Sequence, residues 1–240
     1  SKAIAENVDP IEKKPLFHFL PGTFSLSIAT VGCNFRCLHC QNADISQASK
    51  ERAFEDSDLI LGKDLPPEKI VEDAINENCP SISYTYTEPT IFVEYALDTM
   101  KLAREKELKN VWVSNGYMTK EALDLVGPHL DAINVDLKGF TEKFYSEVCG
   151  AKLEPVLENL KDIKQRGIWL EITTLLITGK NDSPDELQKI AEFIKNNLGA
   201  ETPWHISRFF PAYKIIDLPP TEIDIILKAV KIGKKAGLKY

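Results

Sequence analysis

The sequence predicts an α/β protein, a partial (βα)6 TIM barrel, from three observations. Six strand-like segments alternate with six helix-like segments along the 240 residues. Each strand precedes its helix, the order that joins parallel strands through right-handed crossovers. Polar residues capable of chemistry fall just after the strands, where the βα loops of an α/β barrel carry its site. Six units are two short of the eight that close a barrel, so closure is expected to be partial.

The first strand, Phe24 to Val31, alternates apolar and small residues and delivers Cys33 at its end. Ser81 to Thr87, Asn110 to Ser114, Asp131 to Leu137, Ile168 to Ile177 and Trp204 to Phe210 have the same character. Helical periodicity occupies Pro67 to Asn78, Thr90 to Lys106, Thr119 to Val126, Glu154 to Gln165, Pro184 to Asn197 and Thr221 to Lys235. Ser183-Pro184 and Pro220-Thr221 supply hydroxyl and proline start signals, and Gly116, Gly127 and Gly167 mark ends and turns. Residues 1–23, with Pro10, Pro15 and Pro21, read as an extended N-terminal arm, and residues 24–240 as the barrel domain. Cys33 then follows the first strand, Glu88 the second, Ser114 and Asn115 the third, Asp136 and Lys138 the fourth and Arg208 the sixth.

Composition narrows the setting. Hydrophobic residues make up 43% and charged residues 27%, ordinary for a globular domain with a sizeable core. No apolar run reaches the roughly 18 residues that would span a bilayer, and the first residues lack the order of a signal peptide. A net charge of −7 argues against a general nucleic-acid surface. A cytoplasmic protein with reduced thiols, without membrane or nucleic-acid partners, is the expectation. Ser1 stands where a translated chain would have Met, which fits a processed or truncated N-terminus.

The strongest motif is Cys33-Asn34-Phe35-Arg36-Cys37-Leu38-His39-Cys40, three thiols spaced C-x3-C-x2-C. A cubane iron–sulfur cluster has four irons, so three thiolates leave one iron without a protein ligand. Half of a structural zinc site is the alternative, with His39 as a fourth donor; such sites normally pair C-x2-C elements. A disulfide framework fits poorly, because five cysteines are few for this length. Cys79 and Cys149 lie far from the motif in sequence and read as buried or inert thiols. The sequence assigns no role to His18 or His129, and Lys228 to Lys239 reads as a solvated helix face.

The motif, with Gln41-Asn42 after it, resembles that of the radical S-adenosylmethionine (SAM) superfamily. Leu16 to Gly22, Tyr84 to Thr90, Val113 to Tyr117, Asn134 to Lys138 and Trp204 to Pro211 carry a closer resemblance to pyruvate formate-lyase activating enzymes. Within these, the chain resembles the AmmeMemoRadiSam system radical SAM enzymes. The resemblance implies a [4Fe-4S] cluster on Cys33, Cys37 and Cys40, with SAM at the open iron. It implies that His39, Cys40 and Gln41 meet the adenine side of SAM, and that Thr87 offers a backbone carbonyl to its amino group. Tyr86-Thr87-Glu88 stands where the family has Gly-Gly-Glu. Asp136, Leu137 and Lys138 match the segment that serves the SAM carboxylate and its surroundings. Ser114 matches a position beside a bound monovalent cation, although its neighbour is Val113 where the family has Asp. Thr173 matches the adenosine pocket and His205 a position beside the adenine.

The implied reaction is reductive cleavage of SAM to a 5′-deoxyadenosyl radical that abstracts hydrogen, with ferredoxin or flavodoxin as electron donor. Glycyl-radical activation of a protein partner is the sharper form. A non-glycyl-radical substrate and a zinc-binding scaffold without catalysis are the alternatives.

Overall fold

The computed structural model describes residues 2–51 and 61–240. The chain forms two compact units, Ser1–Asn34 with Asn42–Asn134, and Phe35–Gln41 with Val135–Tyr240.

In the first unit, four strands follow the spatial order β1 (Ala5–Pro10), β2 (Phe24–Ala29), β3 (Ser81–Tyr84) and β4 (Lys109–Ser114). β2, β3 and β4 are parallel, with Ser25 opposite Ser81 and Ser83 opposite Val111. Their apolar residues Leu26, Ile28, Ile82, Tyr84, Val111 and Trp112 are buried. The alternate positions carry buried serines instead of charges, and the Ser25 and Ser83 hydroxyls lie 2.5 Å apart. Such small, mutually bonded groups satisfy both faces of a strand that has no solvent side.

Residues 5–10 carry no strand pattern in the sequence, yet β1 runs antiparallel along β2 from Ala5 opposite Ala29 to Pro10 opposite Phe24. The segment has charges at Glu6 and Asp9 and a proline at its end, which mask a strand pattern. Those features are tolerated at a sheet edge, where one row of backbone groups needs no partner strand. A two-residue ladder pairs Lys2–Ala3 with Lys63–Asp64.

The helices of this unit start within three residues of where the sequence places them. Pro66-Pro67 opens α1 (Pro67–Asn76), which buries Ile70, Val71 and Ala74. A 3-10 turn over Pro89–Phe92 leads into α2 (Val93–Glu105), and the Thr119 side chain caps α3 (Lys120–Val126) by accepting from Ala122 N.

The strand β5 (Ala132–Asp136) begins in the first unit and ends in the second. In the second unit β6 (Trp169–Leu176) and β7 (Trp204–Arg208) are parallel, with Thr173 opposite His205. α4 (Glu154–Gln165) buries Val156, Leu157, Leu160 and Ile163, and the Ser183 side chain caps α5 (Pro184–Phe193). The expected extension of α5 to Asn197 is a π-turn over Ile194–Leu198, closed by Gly199. α6 (Ile223–Ala236) starts after Thr221, whose hydroxyl donates to the Leu176 carbonyl at 2.5 Å instead of lying inside the helix.

Candidate functional site

In the first unit the candidate residues sit on the loops after β2, β3 and β4. Asn34 Nδ2 donates to the Tyr117 carbonyl at 2.8 Å, and Asn115 Nδ2 donates to Asn34 Oδ1 at 2.7 Å. Asn115 Nδ2 also lies 3.9 Å from Cys33 Sγ. The Cys33 loop is therefore tied to the loop after β4 by amide side chains, and its sulfur has an N–H beside it.

The β3 loop is organised by Glu88, which is 1% exposed. Its Oε1 accepts from Thr90 N, Thr90 Oγ1 and Ser114 Oγ at 3.1, 2.6 and 2.8 Å, and its Oε2 from Asn115 N at 2.8 Å. Burial raises its pKa, opposed by these donors. Glu88 thus brackets two βα loops, a structural task that its place at a strand end did not reveal. The Ser114 hydroxyl also accepts from Gly116 N at 3.0 Å, so the oxygen that the resemblance set beside a cation is engaged by its own loop. Thr87 is buried, and its hydroxyl donates to the Thr30 carbonyl at 2.9 Å.

In the second unit, residues 35–41 are strapped along the segment 148–149. Arg36 N donates to the Cys149 carbonyl at 2.8 Å and Leu38 N to that of Val148 at 2.9 Å. Gly150 closes this strap with φ +68°, and a Cβ there would meet Arg36 Cβ at 3.2 Å, so the turn and the close approach both require glycine. Cys37 is buried, Cys40 half-buried and Gln41 exposed. His39 is 5% exposed, with its ring centroid 6.4 Å from that of Phe144. Burial and then the charge of Lys138 push its pKa down to about 3, so the imidazole is neutral. Its buried Nδ1 has no hydrogen-bond partner among the described residues.

Cys149 belongs beside the motif, contrary to the expectation of a remote inert thiol. Its thiol is hydrogen-bonded to that of Cys37, and this bond, followed by burial, raises the Cys37 pKa, opposed by Lys138. No local pattern in Tyr145-Ser146-Glu147-Val148-Cys149-Gly150 marks this neighbour, because the strap that brings it there is a backbone pairing between distant segments.

At the end of β5, Lys138 Nζ and Asp136 Oδ2 lie 2.8 Å apart. Burial disfavours the ammonium charge, but Asp136 and the sulfurs of Cys37 and Cys149 outweigh it and raise the Lys138 pKa. A paired cation and anion at a strand end can read the carboxylate and ammonium of a zwitterion. The backbone is locked from below: the Leu137 carbonyl accepts from Thr174 Oγ1 at 2.9 Å, and that of Lys138 from Asn181 Nδ2 at 2.6 Å.

Thr173 and His205 are register neighbours on β6 and β7. His205 Nε2 lies 2.6 Å from Glu171 Oε2, and Trp169 Nε1 donates to Glu171 Oε1 at 2.9 Å. The fully buried Glu171, a lone acid inside an apolar strand with no local motif to mark it, orients the His205 ring. Arg208 is exposed at the end of β7, where its Nε donates to the Thr221 carbonyl at 2.5 Å.

None of Cys33, Cys37 and Cys40 is in a disulfide. Three thiols at C-x3-C-x2-C spacing within one eight-residue stretch are, as a sequence motif, the number of ligands that a cluster with one open iron requires. Among the described residues no helix is long and apolar enough to cross a membrane.

Comparison with known proteins gives the family of the chain. The chain is 50% identical over 97% of its length to the uncharacterized protein MJ0808 of Methanocaldococcus jannaschii, and spans 67% of that protein. It is 28% identical over 90% of its length to the putative glycyl-radical enzyme activating enzyme MJ1632 of the same organism, spanning 77% of it. Identity to the pyruvate formate-lyase-activating enzyme of Clostridium pasteurianum is 21% over 72% of each chain. Streptococcus suis SuiB bound to S-adenosylmethionine superposes with a TM-score of 0.64 at 13% identity, over 88% of this chain and 48% of SuiB. That likeness bears out the expected fold class, an α/β fold with a mainly parallel sheet of the partial-barrel type. The Radical SAM superfamily model matches residues 27–194, more than half of the sequence and the whole cysteine motif, and the chain therefore belongs to the radical SAM superfamily.

Proposed function

We propose that this radical SAM enzyme holds a [4Fe-4S] cluster on Cys33, Cys37 and Cys40, and activates a partner protein by taking hydrogen from a backbone glycine. The observation that carries the cluster assignment is the set of three thiols at C-x3-C-x2-C spacing directly after β2. The bound cluster and SAM would supply reductive cleavage of the sulfonium to a 5′-deoxyadenosyl radical, with an electron from a donor such as ferredoxin or flavodoxin.

The chain's own residues then have distinct tasks. Lys138 draws the SAM carboxylate, with Asp136 beside it to receive polar groups of the same ligand. Thr87 offers its carbonyl to the SAM ammonium. The neutral His39 supplies an apolar imidazole edge and an unpartnered Nδ1 that can accept from an adenine amino group or donate to a ring nitrogen, with Cys40 and Gln41 flanking it. Thr173 and the Glu171-oriented His205 line the adenosine side. Ser114 acts through the Glu88 bracket that shapes the Thr87 loop, and a monovalent cation beside it belongs to the same reading.

The substrate assignment draws on the similarity to MJ1632, whose name describes a putative activator of glycyl-radical enzymes. A glycine Cα radical is stabilised by its two flanking amides, which suits a primary carbon radical as abstractor. The narrower AmmeMemoRadiSam membership and the cytoplasmic setting belong to the same reading.

The test is anaerobic reconstitution followed by electron paramagnetic resonance of the reduced protein with and without SAM, then with candidate glycyl-radical proteins. A cubane signal that SAM alters, and a protein-based radical that deuterated glycine narrows, support the proposal. Stoichiometric zinc without iron overturns the cluster assignment. A SAM-responsive cluster with no protein radical overturns only the glycyl substrate.

A further inference from the structure

Thr87 N donates to the Thr85 carbonyl at 2.7 Å, closing a three-residue turn around Tyr86, whose φ is +62°. An i to i+2 turn with a positive central φ is rare and strained for an L residue, and a bulky aromatic side chain is an unusual occupant. A strained backbone persists only where its surroundings over-determine it.

Here those surroundings are built from the N-terminal arm. The Tyr86 hydroxyl donates to Asp9 Oδ2. Lys14 Nζ lies 2.7 Å from the same oxygen and 4.4 Å from the Tyr86 ring centroid. Lys14 is 1% exposed and Asp9 7%, so the pair is held in a low-dielectric site where each charge depends on the other. Lys13 Nζ reaches Asp9 Oδ1 at 3.1 Å from the outside. A buried lysine above an aromatic face, paired with the carboxylate that grips the same ring's hydroxyl, fixes the ring at both its face and its tip.

The consequence falls on two backbone carbonyls. That of Tyr86 is taken by Asn42 Nδ2 at 2.8 Å. That of Thr87 receives no N–H or O–H among the described residues, although Thr87 is only 8% exposed. A buried carbonyl without a donor is costly unless a ligand supplies one.

We propose that Asp9, Lys14 and the Tyr86 side chain form a positioning clamp that holds the left-handed turn at residue 86 and so presents the Thr87 carbonyl to the ammonium group of SAM. The inference rests on the SAM reading above. The clamp does with side-chain contacts what a glycine would do by conformational freedom, so the residues of the arm act on ligand affinity without touching the ligand.

The test exploits a reversal of the usual order of substitutions. In reconstituted protein at matched iron content, SAM affinity is measured for Tyr86→Phe, Tyr86→Ala and Tyr86→Gly. Phe keeps the ring but loses the hydroxyl that Asp9 holds, and Ala keeps the strain with no clamp, so both are expected to weaken SAM binding by about tenfold or more. Gly removes the strain together with the clamp and is expected to stay within about threefold of wild type. Asp9→Asn is expected to weaken binding as Phe does, and adding Tyr86→Gly to it to restore affinity. A packing role alone would rank Phe above Gly, and that order overturns the clamp. Wild-type affinity in Tyr86→Phe overturns it too. If the cluster-loaded wild type binds no SAM at all, the SAM reading falls and takes the clamp with it. The two failures are thus told apart by the wild type alone.

Discussion

Tyr86 and Asp9 are joined side chain to side chain across 77 residues, the hydroxyl donating to a carboxylate that also pairs with the buried Lys14. Burial acts to raise the Asp9 pKa, but hydrogen bonds from Lys14, Tyr86 and Lys13 outweigh it and hold the carboxyl well below the usual range. The folded state therefore favours the ionised carboxylate more than the unfolded chain does.

Asp9 should contribute stability that is fully present above about pH 4 and is lost as the pH falls below the unfolded-chain value. Denaturant midpoints measured between pH 6 and pH 3 are expected to show this loss in the wild type, and a shallower one in Asp9→Asn. Parallel curves for the two proteins would rule out the contribution.

Glu88 is gripped by four donors in a buried setting. Glu88→Gln keeps the shape but turns one acceptor into a donor that faces other donors. Urea unfolding should report a loss of about 2–3 kcal/mol. A change under about 0.5 kcal/mol would mean that the bracket contributes little.

Alanine at Cys33, Cys37 or Cys40 should abolish stable cluster incorporation, read as iron and sulfide per chain after anaerobic reconstitution. Cys149→Ala should retain iron, because Cys149 is a neighbour of Cys37 and not one of the three spaced ligands. With Cys37 a ligand thiolate, Cys149 S–H would be the donor in that pair, and its loss should move the cluster potential to a more negative value, since hydrogen bonds to ligand sulfur raise it. Iron loss in Cys149→Ala equal to that in Cys37→Ala would instead make it a ligand.

Lys138→Met removes the cation at the end of β5 while keeping much of the side-chain volume. SAM affinity is expected to fall by more than tenfold, the usual scale for a charge-assisted contact to a carboxylate. Iron content should stay near wild type, and equal SAM affinity in the two proteins would remove Lys138 from the carboxylate site.

The features legible in the sequence are those encoded by local period and spacing. Phe24 to Val31 and Ile168 to Ile177 are apolar enough to be strands wherever they lie, and both contain one. Asp136 and Lys138 are two apart on an extended segment, so their pairing at one strand end follows from alternation. The spacing of Cys33, Cys37 and Cys40 needs no partner from elsewhere in the chain to be recognised. β1 was hidden because Glu6, Asp9 and Pro10 suit an edge, and only the neighbouring β2 makes the segment an edge.

By itself, then, the sequence determined the alternation of strands and helices, the three spaced thiols and the charged pair after β5, because each depends on residues within a few positions of one another. Tertiary structure alone decided that Cys149 meets Cys37, that Glu88 serves as a bracket for its loops, that Glu171 orients His205, and that Asp9 and Lys14 grip Tyr86. Those partners lie tens of residues apart. Their contacts are selected by burial, which requires each enclosed polar group to find a partner wherever the folded chain supplies one.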